Sequence, residues 1–118
     1  MRRDRVAWLR ETFDHHLIME DAEVADASAD HAWLLCDGPL SAALLPVARG
    51  AGAQGAQIDR SGLGGAAVVA PAADLDAVAG ALLAHQAGEV RGATEEGWRQ
   101  LRVELMLPEQ GIDYDEQV

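Results

Sequence analysis

The chain has 118 residues, a formal net charge of −11 and a hydrophobic content of 49% carried mostly by Ala, Val and Leu. That length suits one domain, residues 1–118, with a real core, and the acidic balance excludes direct nucleic-acid binding, which needs a basic surface to displace counterions. The lone cysteine, Cys36, excludes an intrachain disulfide, and no apolar run approaches the roughly 18 residues of a membrane span.

Val6, Leu9, Phe13 and Leu17 recur at helical spacing, so an amphipathic helix is expected from Arg2 to about Leu17, with Arg2, Arg3, Arg5 and Arg10 on its solvated face. The opening MRRDRVAWLRETF has neither an uninterrupted apolar core nor a small-residue cleavage site. It does not read as a secretory signal, and cytoplasmic residence is the expectation. An acidic, Ala-rich stretch follows from Glu20 to Asp30, within which Glu23 to Ala27 reads as a short strand. His31 to Asp37, HAWLLCD, is an apolar run that reads as a buried strand, with Cys36 as a small buried hydrophobe. Asp37 is placed to cap the next helix and Pro39 to enter its first turn. Leu40, Ala43, Leu44 and Val47 mark that helix's apolar face, and Pro46 predicts a kink or an early end.

The glycine-rich stretch Gly50 to Gly65 contains a short strand, Ala56 to Arg60, and a turn at Ser61-Gly62. Ala66 to Ala70 is a second apolar strand ended by Pro71. Leu75, Val78, Ala79, Leu82, Leu83 and Gln86 give a clean helical stripe, with Asp74 near its cap and Gly88 at its end. Glu89 to Arg91 reads as an edge strand. The last helix opens at Thr94, an N-cap type, with Glu95 and Glu96 in its positively polarised first turn, and Pro108 stops it. This order predicts an α+β fold, an antiparallel sheet with helices packed on one face in a ferredoxin-like arrangement.

Most chemical motifs fail on their context. Gly50-Ala51-Gly52-Ala53-Gln54-Gly55 matches GxGxxG, but a helix precedes it and none follows, so it reads as a helix exit. Asp14-His15-His16 places adjacent imidazoles about 100° apart on a helix, too divergent to chelate one ion. No serine lies in a G-x-S-x-G elbow. Trp98 and Glu104 remain. Trp98 shares helical phase with Leu101 and Leu105, which argues for core; Glu104 borders that apolar face at about 60° from Leu101. The two lie about 9 Å apart along the axis and about 120° around it, so they can border one pocket. There an indole stacks on a flat heterocycle and a carboxylate accepts its N–H groups.

Trp98, Leu101, Val103, Glu104 and Pro108, followed by Gly111, Asp113 and Asp115, resemble the W-x-x-L-x-I-E-x-G-x-P helix and acidic turn of the folate-binding YgfZ family, related to the glycine-cleavage aminomethyltransferase. Upstream, Val24, Asp26 and Ser28 resemble its strand ending in D-x-S. Trp33-Leu34-Leu35, Gly38-Pro39 and Ala42 resemble its apolar strand and G-P-x-A helix, and Asp59 to Gly65 its D-R-x-G-x-G-G hairpin. The order holds over nearly the whole chain. Met106 stands where the family's helix has glycine, and SGLGGAAVV stands where the aminomethyltransferase has its G-Y-T-G-E-x-G-F-E hairpin.

The resemblance implies the middle domain of that family, as a fragment or truncated member lacking the first β-rich region and the later K-G-C-Y-x-G-Q-E loop. It implies tetrahydrofolate as cofactor, with Trp98 stacking on the pterin and Glu104 accepting its N–H groups. It also implies a role in iron–sulfur cluster maintenance or tRNA modification, with iron–sulfur client proteins or the missing domains as partners, and no catalysis at this length. The alternatives are an aminomethyltransferase domain and a ligand-free interaction module that dimerises.

Overall fold

The computed structural model describes residues 5–17, 21–85, 88–109 and 111–114. The expectations for Arg2, Arg3, Glu20, Gln86 and Asp115 lie outside these. In chain order the elements are α1 (Val6–His16), β1 (His31–Asp37), α2 (Ser41–Gly50), β2 (Gln54–Gln57), β3 (Gly65–Pro71), a 3₁₀ turn (Ala72–Asp74), α3 (Leu75–Ala84) and α4 (Glu95–Glu104). The three strands form one antiparallel sheet in the order β1-β3-β2. β1 and β2 therefore run parallel to each other with β3 between them, joined by the crossover helix α2, as in a ferredoxin-like split βαβ.

β3 is central because it is apolar on both faces and contains no breaker before Pro71. Val68 is fully buried, and Ala66, Ala67 and Ala70 are nearly so. One face of the sheet meets α2 and α3. Leu44, Ala48, Ala53, Val68, Ala70, Val78 and Leu82 form the core, flanked by the half-buried Leu34, Cys36, Leu45, Val47 and Val90. Burial, and secondarily Asp37, push the Cys36 thiol above its ordinary value, which keeps it protonated as an apolar filler. The small side chains of β3 let the helices approach closely. α1 buries no residue, and Trp8 and Phe13 on it are exposed.

Several expectations are corrected. His31–Asp37 is a strand but not a buried one: it lies at the sheet edge and none of its residues is buried, because β3 alone pairs with it. Glu23–Ala27 forms no strand. The Asp26 carboxylate accepts the Ser28 N–H at 2.9 Å, and Ala27 O accepts from the N–H groups of Asp30 and His31, so the segment closes a turn before β1. The second strand is Gln54–Gln57, ahead of the expected Ala56–Arg60, because Asp59 is claimed by the loop that follows. Glu89–Arg91 lies in a turn in which Arg91 Nε donates to Gly88 O, and α3 ends at Ala84 before Gly88 is reached. Asp37 does not cap α2. The helix begins at Ser41, beyond Pro39, and the Ser41 N–H and hydroxyl both donate to Gly38 O. α2 also runs through Pro46 to Gly50. Pro46 has no N–H to donate to Ala42 O, a lost bond the helix tolerates here because Ala42 is exposed.

The end of α4 is not made by Pro108. Leu107 N–H donates to Arg102 O and Met106 N–H to Val103 O, the paired 6→1 and 5→2 bonds of a Schellman close. That geometry puts Met106 in the left-handed region, at φ 52°, the one described non-glycine residue with positive φ. Its side chain is 86% exposed, so it contributes little packing. Met106→Gly is expected to raise stability by about 1 kcal/mol, measured by urea unfolding, because glycine adopts this conformation without a Cβ penalty.

Candidate functional site

α4 is set by its cap. Thr94 Oγ1 accepts the Gly97 N–H at 3.1 Å, and Glu95 and Glu96 occupy the first turn, as expected for these residue types. Trp98 emerges in the first turn and is half-buried, outside the core cluster. Its indole lies under the Arg60 guanidinium, whose carbon is 4.9 Å from the ring centroid, within cation–π range. Arg60 also donates to Asp37 Oδ2 at 3.3 Å. The end of β1, the β2–β3 loop and the start of α4 thus meet through Asp37, Arg60 and Trp98.

The β2–β3 loop is shaped by Asp59. Its Oδ1 accepts the N–H groups of Ser61 (3.2 Å) and Gly62 (2.7 Å), and its Oδ2 accepts that of Gly64 (3.2 Å). Gly64 O in turn accepts the Gly38 N–H at 2.8 Å. The Gly38-Pro39 and Asp59–Gly65 segments, far apart in the chain, are one hydrogen-bonded corner. The loop's carboxylate is spent on backbone donors, and its glycines serve geometry.

Glu104 is exposed on the last turn of α4, where its Oε1 accepts from Gln100 Nε2 at 2.8 Å. Trp98 and Glu104 therefore have different neighbours, Arg60 for the first and Gln100 for the second. Between them on the helix lies Arg102, which sequence reasoning passed over. Its side chain is only 9% exposed. Its Nη1 donates to Leu107 O at 3.1 Å and pairs with Asp113 Oδ2. Its buried Nε is 3.5 Å from Glu109 Oε2 without hydrogen-bond geometry. Asp113 Oδ2 further accepts the Glu109 N–H at 2.7 Å. The backbone bond from Glu109 and then the bond from Arg102 hold the Asp113 carboxyl below its ordinary value. A shallow cavity of about 220 Å³ opens here, lined by Arg102, Met106, Leu107, Pro108 and Asp113, not by Trp98 or Glu104. The signal for Arg102 was its place one helical turn beyond Trp98, ahead of an acidic turn.

The other motifs have structural roles. Gly50 ends α2, Gly52 turns the chain at φ 88°, and β2 follows at Gln54, so GxGxxG is a helix exit. His15 and His16 meet edge-on at 5.5 Å, and His16 Nδ1 bonds to Thr12 O. Among the described residues there is no group of three or more His, Cys, Asp and Glu side chains placed to hold a metal, and no helix long and apolar enough to cross a membrane. No family model, curated protein or solved structure matches the chain.

Proposed function

We propose that this chain is a tetrahydrofolate-binding protein of the YgfZ kind, or a piece of one, whose α4 supplies part of a pterin site. The reading rests on the resemblance in residue order, and one structural observation carries it furthest. Met106, standing at the glycine of the family's helix motif, has the left-handed backbone that glycine favours. The motif therefore has a backbone to match, two residues beyond Glu104. The hydrogen-bonded corner of Gly38 and Gly64 supports the same reading, because it joins two more of the resembling segments.

In this proposal Glu104 accepts paired N–H bonds from the pterin. Its exposed carboxylate is committed only to the Gln100 amide among the described residues, an exchangeable partner. The pterin stacks on the Trp98 face opposite Arg60. The tight Asp59–Gly65 loop leaves no long hairpin of the aminomethyltransferase type, which favours a binding role over one-carbon transfer. A cytoplasmic role in iron–sulfur cluster maintenance or tRNA modification, with client proteins or the family's other domains as partners, follows from the resemblance alone.

Titration with a reduced folate, read by tryptophan fluorescence, tests this. Quenching is expected, with Kd raised about tenfold or more in Trp98→Phe and in Glu104→Gln, since each loses a stacking or charged hydrogen-bond contact of about 1.4 kcal/mol or more. Silence at millimolar ligand, or a response that both variants retain, defeats the proposal.

A further inference from the structure

β1 is an edge strand, and its outer side is open. Ala72 N–H donates to Asp30 O and Gly38 N–H to Gly64 O, so the even-numbered residues of β1 face β3 in the ladder. The odd-numbered ones turn their backbone groups outward. His31 N–H is taken by Ala27 O, while those of Trp33, Leu35 and Asp37 have no partner among the described residues. The strand carries no proline, lysine or bulge, the devices that usually protect an edge. Ala32, Leu34 and Cys36 on its core face are only half-buried, so the core is unfinished on this side. On the opposite face Trp33 is 64% and Leu35 52% exposed.

We propose that this edge pairs with β1 of a second copy of the chain, antiparallel about a two-fold axis at Leu34, giving a continuous six-stranded sheet. The side chains of β1 select this occupant and this register. Its polar residues are His31 and Asp37, one at each end. Antiparallel self-pairing centred on Leu34 sets each His31 opposite Asp37 of the second copy, whose carboxylate gives Oδ2 to Arg60 of its own chain and has Oδ1 for the imidazole donor. Trp33 then opposes Leu35 of the second copy and exchanges both backbone bonds with it, and the two exposed side chains cover each other. Leu34 meets Leu34 across the axis on the helix side, where both cores are open. Shifting the register by two residues in either direction leaves one end unpaired and breaks the His–Asp match. The proposal does not rest on the folate reading, since it needs neither Trp98 nor Glu104, although Asp37 also holds the Arg60 that covers Trp98.

Sedimentation of the full chain at high micromolar concentration should show twice the monomer mass of 12.5 kDa. Leu35→Pro removes an outward N–H that the chain's own sheet does not use, so it should yield a monomer with an unchanged circular dichroism spectrum. Ala32→Cys provides the register test. Residues 32 and 36 of one strand lie about 13 Å apart and cannot bridge. In the paired dimer they are directly opposed, so mild oxidation with copper–phenanthroline should give a covalent dimer. The parent chain, with Cys36 alone, should not crosslink. A monomer at this concentration, or an Ala32→Cys chain that stays uncrosslinked, overturns the proposal.

Discussion

Gly65→Ala is expected to destabilise the chain by about 3 kcal/mol or more, lowering the thermal midpoint by about 10 °C. Gly65 opens β3 and faces Asp37 in the register with β1. A Cβ built there would lie 2.2 Å from Ile58 O and 3.1 Å from Asp59 Cα. Both obstacles are backbone, so no rotamer change relieves them. The Ile58 N–H also donates to Gly65 O, so pushing the strands apart costs ladder bonds as well as the clash. Asp59 cannot retreat without releasing the loop N–H groups it accepts. Gly80→Ala on α3 is the control. A Cβ there meets nothing within 4 Å, and helix propensity alone should stabilise by up to about 1 kcal/mol. Thermal and urea unfolding of the two variants distinguish a glycine required by close approach from one that is merely tolerated. Equal effects of the two substitutions would show that the corner yields.

The parts of the fold legible in the sequence are those whose signal is local and whose tertiary role agrees with it. His31–Asp37 and Ala66–Ala70 are apolar runs bounded by turn residues, and both are strands paired along their length, but only the second is buried as expected, since the first lies at the sheet edge. Thr94 reads as an N-cap and is one, since the bond it makes is to its own helix. Glu23–Ala27 and Glu89–Arg91 misled because a strand also needs a free edge presented in register. Side chains already close turns at both places, through Asp26 and Arg91. Asp37 misled for a related reason. A carboxylate ahead of a helix is a cap by habit, but here Arg60 takes it and the Gly38 carbonyl anchors Ser41 instead. The candidate site divides the same way. The positions of Trp98 and Glu104 on one helix were readable from spacing. Arg60 lies in another element, so its place over the indole was not. Arg102 reads as one more polar helix residue until Pro108 and the turn beyond it fold the acids back.

Arg102→Met should cost about 1–2 kcal/mol at neutral pH, and the deficit should shrink in acid. Methionine keeps the apolar stem that the buried side chain packs with, so the loss reports on the guanidinium rather than on a cavity. The wild-type fork serves the Leu107 carbonyl and Asp113 and lies beside Glu109. Without it, the two carboxylates face each other with no cation between them. The cost falls below the 3–5 kcal/mol of a fully buried pair because Glu109 and Asp113 are 43% and 40% exposed and retain water. Asp113 sets the pH dependence. Its carboxyl is held below the ordinary value in the folded chain, so it binds its proton less readily there than in the unfolded chain, where the value is about 3.9. Its contribution is therefore fully present above that unfolded value and is lost as pH falls through the lowered folded one. Urea unfolding of the parent and of Arg102→Met between neutral pH and about pH 3 should show the two curves converging below about pH 4. Asp113→Asn should flatten the same acid limb by removing the titrating group. A deficit that stays constant to the lowest pH would mean that Arg102 acts through its bond to the Leu107 carbonyl and not through the carboxylates. In that case the turn after α4 is held by the Schellman close and the Glu109 N–H, and the ion pair is incidental to placing Glu104.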